Sequence, residues 1–192
     1  MNGAYTNDLW HAIHIFAYTT TNEKKGNYLE FLKILHSMVC CTIDQSAFTD
    51  YINTTPVDDL SVWVYGFHKK IASIHHYSIP SMISTQAFYR SDLLTKDVWG
   101  AYGWKMLHRL SATSTRLELF KDLLPLFFYI LPCPICKEHA PAYLKENPLP
   151  KNIHEYFKWT VDFHNNVSAR LNETNGTRRH IFTVEEARGT IM

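Results

Sequence analysis

The chain has 192 residues, 46% hydrophobic and 14% aromatic, with 19 basic and 18 acidic side chains for a formal net charge of +1. That is a globular composition, long enough to bury a sizeable core in one large or two small domains. The near-neutral balance argues against a nucleic-acid partner, and the one short basic stretch, "TRRH" at 177–180, is no tract.

The N-terminus, "MNGAYTNDLW", lacks the charged region and apolar stretch of a secretory signal. The longest uncharged apolar run, residues 123–136, contains Pro125 and falls short of the ~20 residues a membrane span needs. The sequence therefore predicts a cytoplasmic or nuclear protein, not secreted by a signal peptide and without a membrane span.

Taken in chain order, helical periodicity covers 6–19, where Trp10 and His14 lie one turn apart, and 27–40, which runs into Cys40 and Cys41. It returns over 57–74, which carries "WVYGFHKKI". Residues 75–95 contain Pro80, show weaker periodicity and read as a connection. Beyond it, helices are predicted over 98–112, 116–131, 134–146 and 151–173. Strand signals are weak throughout, so the predicted fold class is all-α.

The two halves resemble one another. Trp10 and His14 are spaced as Trp104 and His108 are, and "WVYGFHKKI" lies over "WTVDFHNNV". Between them "CTIDQSAFTDYI" lies over "CPICKEHAPAYL", matching Cys41 to Cys133 and Asp44 to Cys136. The shared order predicts a duplicated helical unit whose first copy has lost its dithiol. The expected domains are 1–76 and 77–192.

Cys133 and Cys136 form the Cys-x-x-Cys of "LPCPICKEHAPAYL". In a reducing compartment such a pair is more often catalytic or metal-binding than structural. Cys133 stands at a predicted helix start with Pro134 in the first turn, where backbone N–H groups and the helix dipole stabilise a thiolate. From the residues alone, a redox dithiol, half of a zinc site and an inert pair all remain open. Zinc would need two more ligands, and His139 is too close in sequence for the usual second half-site.

Three elements together, "GAYGWKMLH", "LPCPIC" and "WTVDFHNNVSARL", resemble the Erv/ALR family of FAD-linked sulfhydryl oxidases. The two-halved layout is most similar to the family's viral, baculovirus-type members. The resemblance implies a four-helix bundle that binds FAD, preceded here by a degenerate copy. It implies disulfide formation in thiol-containing client proteins, with electrons passing from client thiols through Cys133 and Cys136 to FAD and then to molecular oxygen, giving hydrogen peroxide.

Carried over by position, Trp104 and His108 would pack the flavin. Trp159, His164, Asn165 and Val167 would line its other side and the adenine end, with Ser168 and Leu171 completing the helix face and Tyr129 also expected at the cofactor. No metal is implied. Homodimerisation and a viral protein working in the host cytoplasm or nucleus, or associated with a virion, are also expected. Several family positions differ. Ala101 stands where Arg is common, Leu131 where Tyr is usual (with Tyr129 a turn away), Ser168 where the motif ends in Asn, and Glu173 where Lys is expected.

Overall fold

The computed structural model describes residues 6–39, 42–89 and 94–191. Among them all regular structure is helical, as expected from the sequence. The first half holds α1 (Asn7–Thr19), α2 (Lys25–Val39), α3 (Thr42–Thr54) and α4 (Leu60–Ile74). The second holds α6 (Lys96–Thr113), α7 (Phe120–Ile130), α8 (Pro134–Glu146) and α9 (Tyr156–Asn175). Between them lies α5 (Met82–Tyr89), and α10 (Val184–Gly189) closes the chain.

Local chemistry sets the helix ends. The Asp59 carboxylate accepts the backbone N–H groups of Ser61 and Val62 and starts α4. Thr183 and Glu186 form a reciprocal capping box on α10. Gly176, at φ 60°, ends α9 in the left-handed conformation that glycine adopts without a Cβ clash. The helix α3 is absent from the sequence prediction because its apolar stripe is thin: only Asp44, Ala47 and Phe48 are buried. The short helix α5 lies inside the stretch expected to be a connection.

Packing follows the same pairing in each half, α1 against α4 and α6 against α9. Across the halves, α1 packs on α6 and α2 on α7, so the first two helices of one half meet those that match them in the other. A continuous apolar core results. Phe127 of α7 lies edge-on to Phe16 of α1 at 5.4 Å and beside Phe31 of α2 at 6.2 Å. Gly103 of α6 faces this cluster. A Cβ there would lie 3.2 Å from Phe127 and 3.4 Å from Phe16, so glycine permits the close approach of α6. No described helix is long and apolar enough to cross a membrane.

Candidate active site

Cys133 and Cys136 are joined as a disulfide at the start of α8. Cys133 is the N-cap, Pro134 opens the first turn, and the Cys133 sulfur accepts the backbone N–H of Cys136 at 3.1 Å. Both cysteines are half-buried against the core. The backbone thus offers Cys133 the hydrogen bond and helix-start field that stabilise a thiolate once the disulfide opens.

On the neighbouring helices, α6 and α9 bring Trp104, His108 and His164 together. The Trp104 and His164 rings stack at 4.4 Å and 11°. His108, 3% exposed, places Nε2 3.1 Å from His164 Nδ1 and Nδ1 3.2 Å from the Thr160 hydroxyl. Thr160 donates its own hydroxyl to the Phe157 carbonyl at 2.7 Å, so it accepts from His108 Nδ1–H. His108 Nε2 then accepts from His164 Nδ1–H, which leaves a lone pair on His164 Nε2. Burial holds His108 down to about 4 and His164, with His108 beside it, to about 3. Both rings are neutral at neutral pH.

The Erv1 / Alr family model matches residues 101–187. An FAD-linked sulfhydryl oxidase of African swine fever virus, from a Kenyan pig isolate, is 38% identical over 82 residues, spanning 39% of this chain and 69% of the relative. The same viral protein from a Malawian tick isolate is 40% identical with the same coverage. A probable FAD-linked sulfhydryl oxidase of Acanthamoeba polyphaga mimivirus is 26% identical over 85 residues, spanning 39% of this chain and 59% of the relative. The chain belongs to the Erv1/Alr family. No solved structure matches it.

Within this Erv1/Alr chain the other expected site residues fall into four groups. His164, Val167, Ser168 and Leu171 share one face of α9 at three- and four-residue steps, with Ser168 buried and the others partly so. Trp159 is buried, and its indole N–H is spent on the Asn147 carbonyl at 3.0 Å, which anchors α9 to the end of α8. Asn165 exchanges two hydrogen bonds with the backbone of Phe182, N–H to Oδ1 and Nδ2–H to carbonyl, each at 2.8 Å. That pairing straps the C-terminal segment onto α9, and Phe182 lies 5.3 Å from the His164 ring. Tyr129 stands apart from the Trp/His group, 47% exposed on the last turn of α7 before the dithiol.

Thr160 was not legible as a site residue, although its place one turn before His164 is the signal that could have found it. Tyr143 and Phe163 were also missed. They stack at 4.3 Å and 10°, and Phe163 meets Trp104 edge-on at 5.3 Å, linking α8 to the Trp/His group. A flat, partly open Trp104–His164 surface over a buried neutral histidine suits a planar aromatic cofactor. Among the described residues no group of three or more His, Cys, Asp or Glu is placed to hold a metal ion.

The first half repeats much of this geometry. Trp10 stacks on His68 at 3.8 Å and 11°, His14 Nε2 lies 3.0 Å from His68 Nδ1, and Trp63 donates to the Thr55 carbonyl at 3.1 Å. At the position matching Cys136, Asp44 is fully buried and bonded to His75 Nε2 at 2.6 Å. Cys40 and Cys41 lie outside the described residues.

Proposed function

We propose that the chain is an FAD-dependent thiol oxidase that makes disulfides in client proteins through Cys133 and Cys136 and passes the electrons to molecular oxygen, giving hydrogen peroxide. The disulfide at the start of α8 carries this reading, with its sulfur on the Cys136 N–H. Family membership and the names of the viral relatives support it.

Bound FAD supplies a two-electron acceptor that oxygen can reoxidise. The protein supplies the exchange. A client thiolate attacks Cys133, the Cys133–Cys136 bond breaks, and Cys136 leaves as a thiolate. A second client thiolate attacks the client sulfur of this mixed disulfide, forming the client disulfide and releasing Cys133. Two client thiols are thereby oxidised, and the protein disulfide gains two electrons and two protons. Stabilisation of the Cys133 thiolate by the Cys136 N–H and the helix start favours its release and makes the pair a better oxidant. Trp104, His164 and the α9 face would hold the flavin. The neutral imidazoles avoid burying a charge beneath it.

On this reading residues 77–192 are the catalytic unit and residues 1–76 a degenerate copy. The copy has no Cys-x-x-Cys, and its Trp10 is buried. A homodimer would have to use other surfaces than α1/α6 and α2/α7, which already pack within the chain. The viral relatives support a viral protein, and we place its action in the host cytoplasm or nucleus or at the virion. Purified chain should be yellow and should consume oxygen with dithiothreitol, releasing peroxide. A colourless protein that carries zinc would overturn the reading.

A further inference from the structure

A cationic surface built from both halves lies beside the dithiol. Tyr129 is four residues before Cys133, and Lys137 directly follows Cys136 in α8. The Lys137 ammonium lies 5.8 Å from the centre of the Tyr129 ring. Lys24, from the turn that precedes α2 in the first half, brings a second ammonium to 5.2 Å from the same ring. Among the described residues neither lysine makes an ion pair with a carboxylate, although Glu23 and Glu138 adjoin them in sequence.

Two ammonium groups drawn to one aromatic ring repel each other. Contact with Lys137, then burial, lowers Lys24 to about 8. An anionic group entering between them would relieve that repulsion. Ile135, 57% exposed between the two cysteines, adds an apolar contact on the same helix start.

We propose that Lys24, Lys137, Tyr129 and Ile135 form a docking site for an acidic segment flanking the client's reactive cysteine, so that the first half helps to choose the substrate. This rests on the thiol-oxidase reading. Charges at the rim of such a site act mainly on encounter rate and salt dependence.

The test uses the full flavin-loaded chain and three peptides with the same cysteine pair, flanked by acidic, neutral or basic residues. Oxygen consumption gives kcat/KM, and fluorescence anisotropy of Ser-substituted peptides gives binding without turnover. The acidic peptide should be preferred, with the preference shrinking at high salt. Lys24→Glu should cost about tenfold on the acidic peptide, an effect on association, and favour the basic one. Lys24→Arg should retain the preference. Dithiothreitol turnover and flavin content should stay within about twofold, since a rim charge leaves the exchange itself intact. Equal use and binding of the three peptides by the native chain, or a Lys24→Glu loss of equal size on every substrate, would overturn the proposal. Absent flavin and absent turnover would sink the oxidase reading instead, and anisotropy would still report docking.

Discussion

In the second half the Trp104 and His164 rings stack with both partly open to solvent. In the first half Trp10 and His68 stack in the same way, but Trp10 is sealed to 3% exposure. The cover comes from the connection between the halves. Tyr77 accepts the Trp10 indole N–H at 3.1 Å, and Tyr89 of α5 stacks on His14 at 5.1 Å while bonding His11 Nδ1 at 2.7 Å. A second difference lies underneath. His108 Nδ1 has the Thr160 hydroxyl as partner, whereas His14 Nδ1 has none among the described residues, with Val64 standing where Thr160 does. The third is Asp44 in place of Cys136. The stacked Trp/His pair and the tryptophan that anchors the last helix belong to the frame, since both halves keep them. The open face, the supported histidine and the dithiol occur in the second half alone among the described residues.

That contrast is broken most severely at the cysteines. Cys133→Ser and Cys136→Ser should each lower dithiol turnover on the order of a thousandfold or more, because neither sulfur can complete the exchange alone. Mass spectrometry should find a client mixed disulfide on Cys133 in Cys136→Ser. Trapping only in Cys133→Ser, on Cys136, would reverse the roles. Replacing Cys40 and Cys41 together by Ala should leave turnover within about twofold and cost ~1–2 kcal/mol if they pack as core thiols. Near-complete loss of turnover with flavin retained would make them a shuttle.

Next in size are the tryptophans. Trp104→Ala should lose flavin, read from absorbance after desalting. Trp10→Ala should keep flavin yet lose ~3–5 kcal/mol in denaturant unfolding, as a buried ring truncated to a cavity does. Flavin loss of equal extent in both variants would end the distinction between the halves. Expressed alone, residues 77–192 should be poorly soluble or flavin-free, because the α6 and α7 faces that pack on α1 and α2 would be exposed.

Acid affects both halves together. Burial, chiefly, holds His14, His68 and His164 near 3 and His108 near 4, below the usual 6.5. The unfolded chain therefore binds more protons than the folded one below about pH 6.5. Stability should fall as pH drops through that window towards 4, and be level in these groups above it. A melting temperature that is flat from pH 7 to pH 4 would contradict neutral buried histidines.

The smallest expected effect is a repair. Val64→Thr gives His14 Nδ1 the partner that His108 has, and should raise stability by about 1 kcal/mol. Thr160→Val should lower it by roughly 1–3 kcal/mol by orphaning His108 Nδ1.

Much of this frame was legible in the sequence because it rests on spacing. Trp and His four apart on α1 and α6, and the second Trp and His five apart on α4 and α9, are periodicities that a helix turns directly into faces. The dithiol was legible from Cys-x-x-Cys and Pro134. What was not legible depends on tertiary contact. Nothing in the string shows that Tyr77 and Tyr89 return to cover Trp10 and His14, that Phe182 takes up the Asn165 amide, or that Lys24 reaches Tyr129. The helix α3 was missed because Asp44, its fully buried side chain, is polar and breaks the apolar stripe.

If both halves share one frame and the second alone carries the cofactor, the ratio of flavin to polypeptide in the purified full chain, from absorbance of the released flavin and amino-acid analysis, decides it. One flavin per chain, kept in Trp10→Ala and lost in Trp104→Ala, is the predicted result. Two flavins per chain, or a single flavin lost in Trp10→Ala and kept in Trp104→Ala, would contradict it.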